Sequence, residues 1–187
     1  MKKRVFIAIN LSEKIKNRLL EFKEKWNHLP VRWTKKDSLH LTLVFIGYVT
    51  DDELYNICKI INEVARRHEP FYLEFERVLY GPPDKPPRMI WLKGKISEEL
   101  ADLRSDLETA LSASENAGGY SAERRPFSPH ISLARINMEE WHKLVERPNI
   151  EENFKFGLNA ASIEVMQSDL KRSGAEYAIL ESCPLGE

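Results

Sequence analysis

Cysteine is scarce, long apolar runs are missing and neither sign of charge dominates, and each lack removes a class of protein. Cys58 and Cys183 are the only cysteines in 187 residues, and two thiols so far apart read as small buried hydrophobes rather than a disulfide framework. No segment approaches the roughly 18 apolar residues of a membrane span. The start, Met1 to Asn10, has a basic opening and only Val5-Phe6-Ile7-Ala8-Ile9 as an apolar stretch, short of the roughly 7–15 residues of a signal-peptide core. A cytoplasmic, non-membrane protein is expected. With 28 basic and 29 acidic residues, net charge −1, the chain lacks the footprint of a protein that coats nucleic acid, so any polyanion is held locally. A composition of 42% hydrophobic and 30% charged residues excludes wholesale disorder. The length suits one domain of ordinary size, or two intimately packed lobes.

Apolar patterning alternates between the two periods of regular structure. Residues 4–9 read as a strand; Ser12 then reads as an N-cap, with Ile15, Leu19, Leu20, Phe22 and Trp26 at helical spacing up to Pro30. Residues 39–47 form a second strand closed by Gly47, and Thr50 caps a helix over 51–67. Strands over 71–79 and 88–93 flank Gly81-Pro82-Pro83-Asp84-Lys85-Pro86-Pro87, too rich in proline for regular structure. Ser97 opens a helix with Leu100, Leu103, Leu107 and Leu111 inward, fraying into Asn116-Ala117-Gly118-Gly119. A strand follows at 129–134, then a short helix near 138–146. Strands over 152–158, 160–168 and 175–181 end the chain, with a turn at Arg172-Ser173-Gly174. Strands outnumber helices, and the class is α+β.

No linker or low-complexity tract divides the chain, so 1–187 reads as a single two-lobed domain. A faint repeat supports the lobes: His40-Leu41-Thr42-Leu43 and His130-Ile131-Ser132-Leu133 share the pattern His, aliphatic, hydroxyl, Leu. On a strand, alternate side chains share a face, so His40 lies beside Thr42 and His130 beside Ser132, away from the aliphatic residues. An imidazole titrates near pH 6.5, which lets one copy accept a proton while another donates one. The hydroxyls can donate to non-bridging phosphate oxygens. Metal binding fits less well, because neither motif brings a carboxylate or thiol to complete a ligand set.

These motifs, with Arg4 to Ile9, Val31-Arg32-Trp33, His40 to Gly47, Pro87 to Leu92, Phe127 to Arg135 and Ser168-Asp169-Leu170, form an ordered set spanning nearly the whole chain. The set resembles the RNA 2',3'-cyclic phosphodiesterases, historically called 2'-5' RNA ligases, of the two-histidine phosphoesterase superfamily. The resemblance implies a bilobal, pseudo-two-fold α+β fold, two antiparallel sheets flanking a central cleft, helices on the outer faces, and neither metal nor cofactor. It implies action on RNA 3' ends or nucleotide phosphodiesters, opening a terminal 2',3'-cyclic phosphate to a 2'-phosphate; a monomer is expected. His40 matches the donor to the departing 3' oxygen, His130 the base that activates water, and Thr42 and Ser132 the phosphate-binding hydroxyls. Ser132 stands where threonine is common; the hydroxyl is kept. Phe45 and Arg135, five residues after each histidine, match positions for base stacking and phosphate contact. Simple alternation turns both to the wrong face, so either the strands bulge or twist before them or the two residues are structural. The implied rivals are 2'-5' ligation, hydrolysis of small cyclic nucleotides or 2'-5' oligonucleotides, and RNA-end binding without turnover.

Other candidates carry plainer readings. His28, His68 and His142 stand among charged residues and read as solvated. Arg32 and Arg88 suit a cleft lining, while Trp33 reads as packing. Lys35, Lys36, Arg124 and Arg125, just upstream of the motifs, suit a local basic rim.

Overall fold

A computed structural model describes the chain apart from Met1, Asp84, Arg172 and Ser173, and describes Leu170 and Gly174 through their backbone. Two residues of the expected turn, Arg172 and Ser173, therefore lie outside the described residues. The strands are β1 (Lys3–Asn10), β2 (Val31–Trp33), β3 (His40–Val49), β4 (Phe71–Gly81), β5 (Met89–Gly94), β6 (His130–Ile136), β7 (Glu152–Ala160), β8 (Ser162–Lys171) and β9 (Gly174–Pro184). The helices are α1 (Glu13–Lys25), α2 (Asp51–Ala65), α3 (Glu98–Ala113) and α4 (Met138–Trp141), and a 3-10 turn covers Lys36–Ser38. The last expected helix stops at Trp141, after one turn capped by Asn137. β2 and the 3-10 turn went unforeseen, because three residues are too few for a period to show.

Among the described residues the strands make one antiparallel sheet in the order β7-β4-β5-β6-β3-β1-β8-β9, with β2 against β6. Where two sheets were expected there is a single, strongly curled one. Its halves join through one residue pair, Leu41 with Ile131. On one face of the sheet, Val5, Ile7, Ile9, Leu41, Leu43, Ile131 and Leu133 pack into the main core with the inner faces of α1, α2 and α3. Leu100, Leu103, Leu107 and Leu111 of α3 are all buried there, each contributing about 1.5–3 kcal/mol by leaving water. Thr50 closes a capping box with Glu53, and the Ser97 hydroxyl accepts from the Leu100 N–H at 3.2 Å. Ser12 sits at its N-cap position without a side-chain bond. Phe6, Ala8 and Met166 form a second, smaller cluster beside Tyr177, on the opposite face. Among the described residues no helix is long and apolar enough to cross a membrane.

Both motif strands carry the same irregularity. Against β1, Thr42 pairs with Ala8 and Val44 with Ile7, leaving Leu43 unpaired. Against β5, Ser132 pairs with Trp91 and Ala134 with Ile90, leaving Leu133 unpaired. Each is a β-bulge three positions after its histidine, and it reverses the alternation beyond it. The freed carbonyls are satisfied from outside these ladders: Arg104 Nε donates to Leu43 O at 3.2 Å, and the Thr34 N–H donates to Leu133 O at 2.8 Å. From His40 and from His130 onward, seven positions run half-buried, buried, half-buried, buried, buried, exposed, buried. Phe45 and Arg135 thereby return to the histidines' face, Phe45 opposite Phe6 and Arg135 opposite Met89.

Candidate active site

Leu41 and Ile131 are the middle residues of the two motifs, so the register that joins the halves also assembles the site. Continued by one residue each way, it sets His40 beside Ser132 and Thr42 beside His130, all on the face opposite the buried aliphatic pair. The imidazoles are then diagonal neighbours, with backbones about 7–8 Å apart.

Both rings are oriented by the same device. His40 Nδ1 lies 2.8 Å from Ser38 O, and His130 Nδ1 lies 2.7 Å from Ser128 O. A carbonyl only accepts, so each Nδ1 carries the hydrogen and each neutral ring presents a lone pair at Nε2. His40 Nε2 is 3.0 Å from Thr42 Oγ1. The hydroxyl donates to the neutral ring and accepts from the protonated one. Burial is the main cause that pushes His40 down to about 4; the Ser38 carbonyl opposes it, and the positive charges of His130 and Lys16 add to it. Burial also lowers His130, against the Ser128 carbonyl. At neutral pH the unliganded site holds two neutral imidazoles.

The walls differ on the two sides. His130 stacks on Trp91, ring centres 3.7 Å apart and planes 19° apart. Trp91 in turn lies flat on the backbone of Gly81, where a Cβ would come within 2.2 Å of the indole. His40 meets Phe6 at 4.9 Å and the edge of Tyr177 at 5.0 Å, and Phe6 continues to Phe45 at 5.8 Å. Phe45 is 62% exposed, so this aromatic wall opens to solvent. Neither Tyr177 nor Trp91 was singled out from the sequence as part of the site; alternation says nothing about which strand lies next to which.

The cations sort by partner. The expected basic rim is largely neutralised, because carboxylates stand within reach: Lys35 pairs with Glu176 at 3.1 Å, Lys36 with Glu13 at 2.8 Å and Arg125 with Glu123 at 2.7 Å. Arg124 is exposed. Among the described residues Arg32, Arg88, Lys93 and Arg135 have no side-chain partner; Arg32 is opposite Arg135, and Lys93 is opposite His130. Trp33, opposite Ala134, packs against the main core as expected. His28 and His142 are exposed, but His68 is not simply solvated: the end of α2 packs by α3, and His68 Nε2 bonds Asp106 at 3.0 Å. Cys58 and Cys183 are free thiols, and burial pushes Cys183 up to about 12, so neither is poised as a nucleophile. Among the described residues no three His, Cys, Asp or Glu side chains come together as a metal-ligand group.

Known proteins resemble this chain in sequence and in fold. A family model described as LigT like phosphoesterase matches residues 9–91. The RNA 2',3'-cyclic phosphodiesterase of Aeropyrum pernix is 30% identical over 158 residues, 81% of this chain and 85% of that one. The RNA 2',3'-cyclic phosphodiesterase of Thermotoga maritima is 28% identical over 187 residues, 96% of this chain and 94% of that one. In structure, TT0787 of Thermus thermophilus superposes with a TM-score of 0.83 at 26% identity over 98% of each chain. E. coli LigT, solved in complex with 3'-AMP, shares the fold with a TM-score of 0.80 at 22% identity over the full length of both. The chain belongs to the LigT-like, two-histidine phosphoesterase family and is an enzyme of that class.

Proposed function

We propose that the protein hydrolyses RNA ends bearing a 2',3'-cyclic phosphate to a 2'-phosphate and a free 3'-hydroxyl, by paired histidine catalysis without a metal. The observation that carries this reading is the pair of Nδ1-anchored imidazoles with Nε2 atoms on one face, diagonal across a single residue pair. That separation, about 7–8 Å between backbones, leaves room for one phosphate between a base and an acid. His130 Nε2 takes a proton from water as the water oxygen attacks phosphorus; the P–O3' bond breaks as His40 Nε2–H protonates O3'. His40, held down to about 4 in the free protein, acquires its proton with the substrate, because the anionic diester beside it offsets the cost of burying a charge. Once Nε2 carries hydrogen it no longer takes one from Thr42, whose hydroxyl is free to donate to a non-bridging oxygen. Ser132 does the same from the second motif. Further along the strand the Arg135 guanidinium contacts a backbone phosphate of the RNA, and Phe45, backed by the buried Phe6, stacks on the terminal base.

Imidazoles and hydroxyls without a carboxylate or thiol partner form a donor set suited to proton transfer rather than to a cation. The repeated bulge supports two pseudo-two-fold lobes within one domain, 1–187. Since one chain supplies every group named, a monomer suffices. The test is to incubate the protein with RNA ending in a 2',3'-cyclic phosphate and identify the product isomer. A 2'-phosphate is expected, with activity indifferent to chelator. A 3'-phosphate product would contradict the donor assignment, and activity lost to chelator and restored by zinc would reject the metal-free scheme. His40→Ala and His130→Ala are each expected to lower turnover by roughly 10² or more.

A further inference from the structure

We propose that Arg32 and Arg135 together bind a second phosphate of the substrate strand, one nucleotide away from the cyclic phosphate that reacts. This rests on the reading of the site as an RNA-end phosphoesterase. The two arginines are direct cross-strand partners in the β2–β6 ladder and share the face that carries the histidines. Like charges directly opposite in a sheet repel, and among the described residues no carboxylate pairs with either one. The next residue in the same row is the neutral Met89, and neither guanidinium has a side-chain partner among the described residues. The contrast with Lys35, Lys36 and Arg125, each matched to a carboxylate, marks the pair as suited to an anion from outside the chain.

A second observation ties the pair to the site's construction. Thr34, one residue past β2, donates its N–H to Leu133 O and its hydroxyl to Ser132 O, both at 2.8 Å. The same segment thus presents Arg32 and stabilises the bulge that turns Arg135 to the histidines' face. Two guanidinium forks side by side match the oxygens of one phosphodiester. Arg135 stands three residues beyond Ser132, a strand distance on the order of 10 Å, so the pair is set away from the phosphate held by Ser132 and His130. A strand that enters across Arg32 and Arg135 delivers its last phosphate to the histidines.

The test compares wild type with Arg32→Gln on three substrates: a nucleoside 2',3'-cyclic phosphate, the same nucleoside with a 5'-phosphate, and a trinucleotide with the same cyclic end. Wild type is expected to favour, in kcat/KM, the substrates that carry a phosphate beyond the cyclic one. The variant is expected to lose that preference by about tenfold, the scale of one charged hydrogen bond, with a log–log salt slope shallower by about 1. Preference for the trinucleotide alone identifies an internucleotide phosphate; preference shared with the 5'-phosphorylated nucleoside shows that any phosphate at that spacing serves. The unliganded variant is expected to melt at or above the wild-type temperature, because a repulsion has been removed. Equal losses on all three substrates, or a lowered melting temperature, would overturn the proposal. If wild type turns over none of the three, the hydrolase reading fails. Fluorescence anisotropy with the trinucleotide then decides the arginine pair by itself: unchanged affinity and salt slope in Arg32→Gln would reject it.

Discussion

An imidazole held at about 4 inside a folded chain makes stability depend on pH in a calculable way. His40 is lowered to about 4, while in the unfolded chain it returns to about 6.5. Between those values the unfolded chain binds a proton that the folded one refuses, so stability rises with pH. The contribution is fully present above about 6.5 and is lost progressively as pH falls toward 4. At about 1.4 kcal/mol per unit, the shift corresponds to on the order of 3 kcal/mol, and the lowering of His130 acts in the same direction. Urea unfolding at several values from about pH 7.5 down to about pH 4.5 measures the slope. A His40→Gln variant, which keeps a polar group near Ser38 O and cannot titrate, should flatten it, and the difference between the two curves removes the carboxylates common to both. NMR titration of the His40 ring supplies the midpoint directly, and bound inorganic phosphate should raise it. Identical slopes in the two proteins, or a free His40 titrating near 6.5, would refute the claim that burial holds this ring neutral.

Three further perturbations probe the supports of the site. Gly81→Ala places a methyl inside the Trp91 indole; the displaced ring should loosen the His130 stack, lowering kcat about tenfold or more and shifting tryptophan fluorescence, at about 1–3 kcal/mol of stability. Unchanged fluorescence and kcat would show that Trp91 does not hold His130. Arg104→Ala removes the donor to the bulged Leu43 carbonyl and should cost about 1–3 kcal/mol in unfolding experiments, together with weaker binding of bases by Phe45; full stability would mean that water replaces Arg104 without penalty. Phe45→Ala should raise KM for RNA ends several-fold with little change in kcat, and a change confined to kcat would place Phe45 in the chemistry instead.

Much of the fold was legible because the patterns that encode it are local. Leu100, Leu103, Leu107 and Leu111 fall on one helical face at any position in the fold, and all four are buried. Thr50 announces its helix start, and the structure adds a capping box with Glu53 there. The repeated His-aliphatic-hydroxyl-Leu motif put one imidazole and one hydroxyl on a common strand face for the same reason. Sequence could not say that one sheet would replace two, because the join is the single pair Leu41–Ile131, ninety positions apart and set by curvature rather than by local preference. Nor could it tell which basic residues would be neutralised: Lys35 meets Glu176 from the far end of the chain.

The bulges show most clearly where local reasoning stops. Alternation from His40 predicts Phe45 on the core side, and alternation from His130 does the same for Arg135; both predictions follow correctly from a regular strand. A bulge exposes a carbonyl that the ladder no longer satisfies, so its stability depends on a donor arriving from elsewhere. For Leu43 that donor is Arg104 on α3, and for Leu133 it is Thr34 beyond β2. Two unrelated donors stabilising the same irregularity at the same offset imply that the irregularity itself is required. What it accomplishes in both halves is to bring the fifth residue after each histidine back to the histidines' face. An aromatic ring is displayed in one half and a guanidinium in the other. A near-symmetric pair of strands thus acquires unlike ends, which is what a substrate with a base on one side of its phosphate and a polyanionic strand on the other would need.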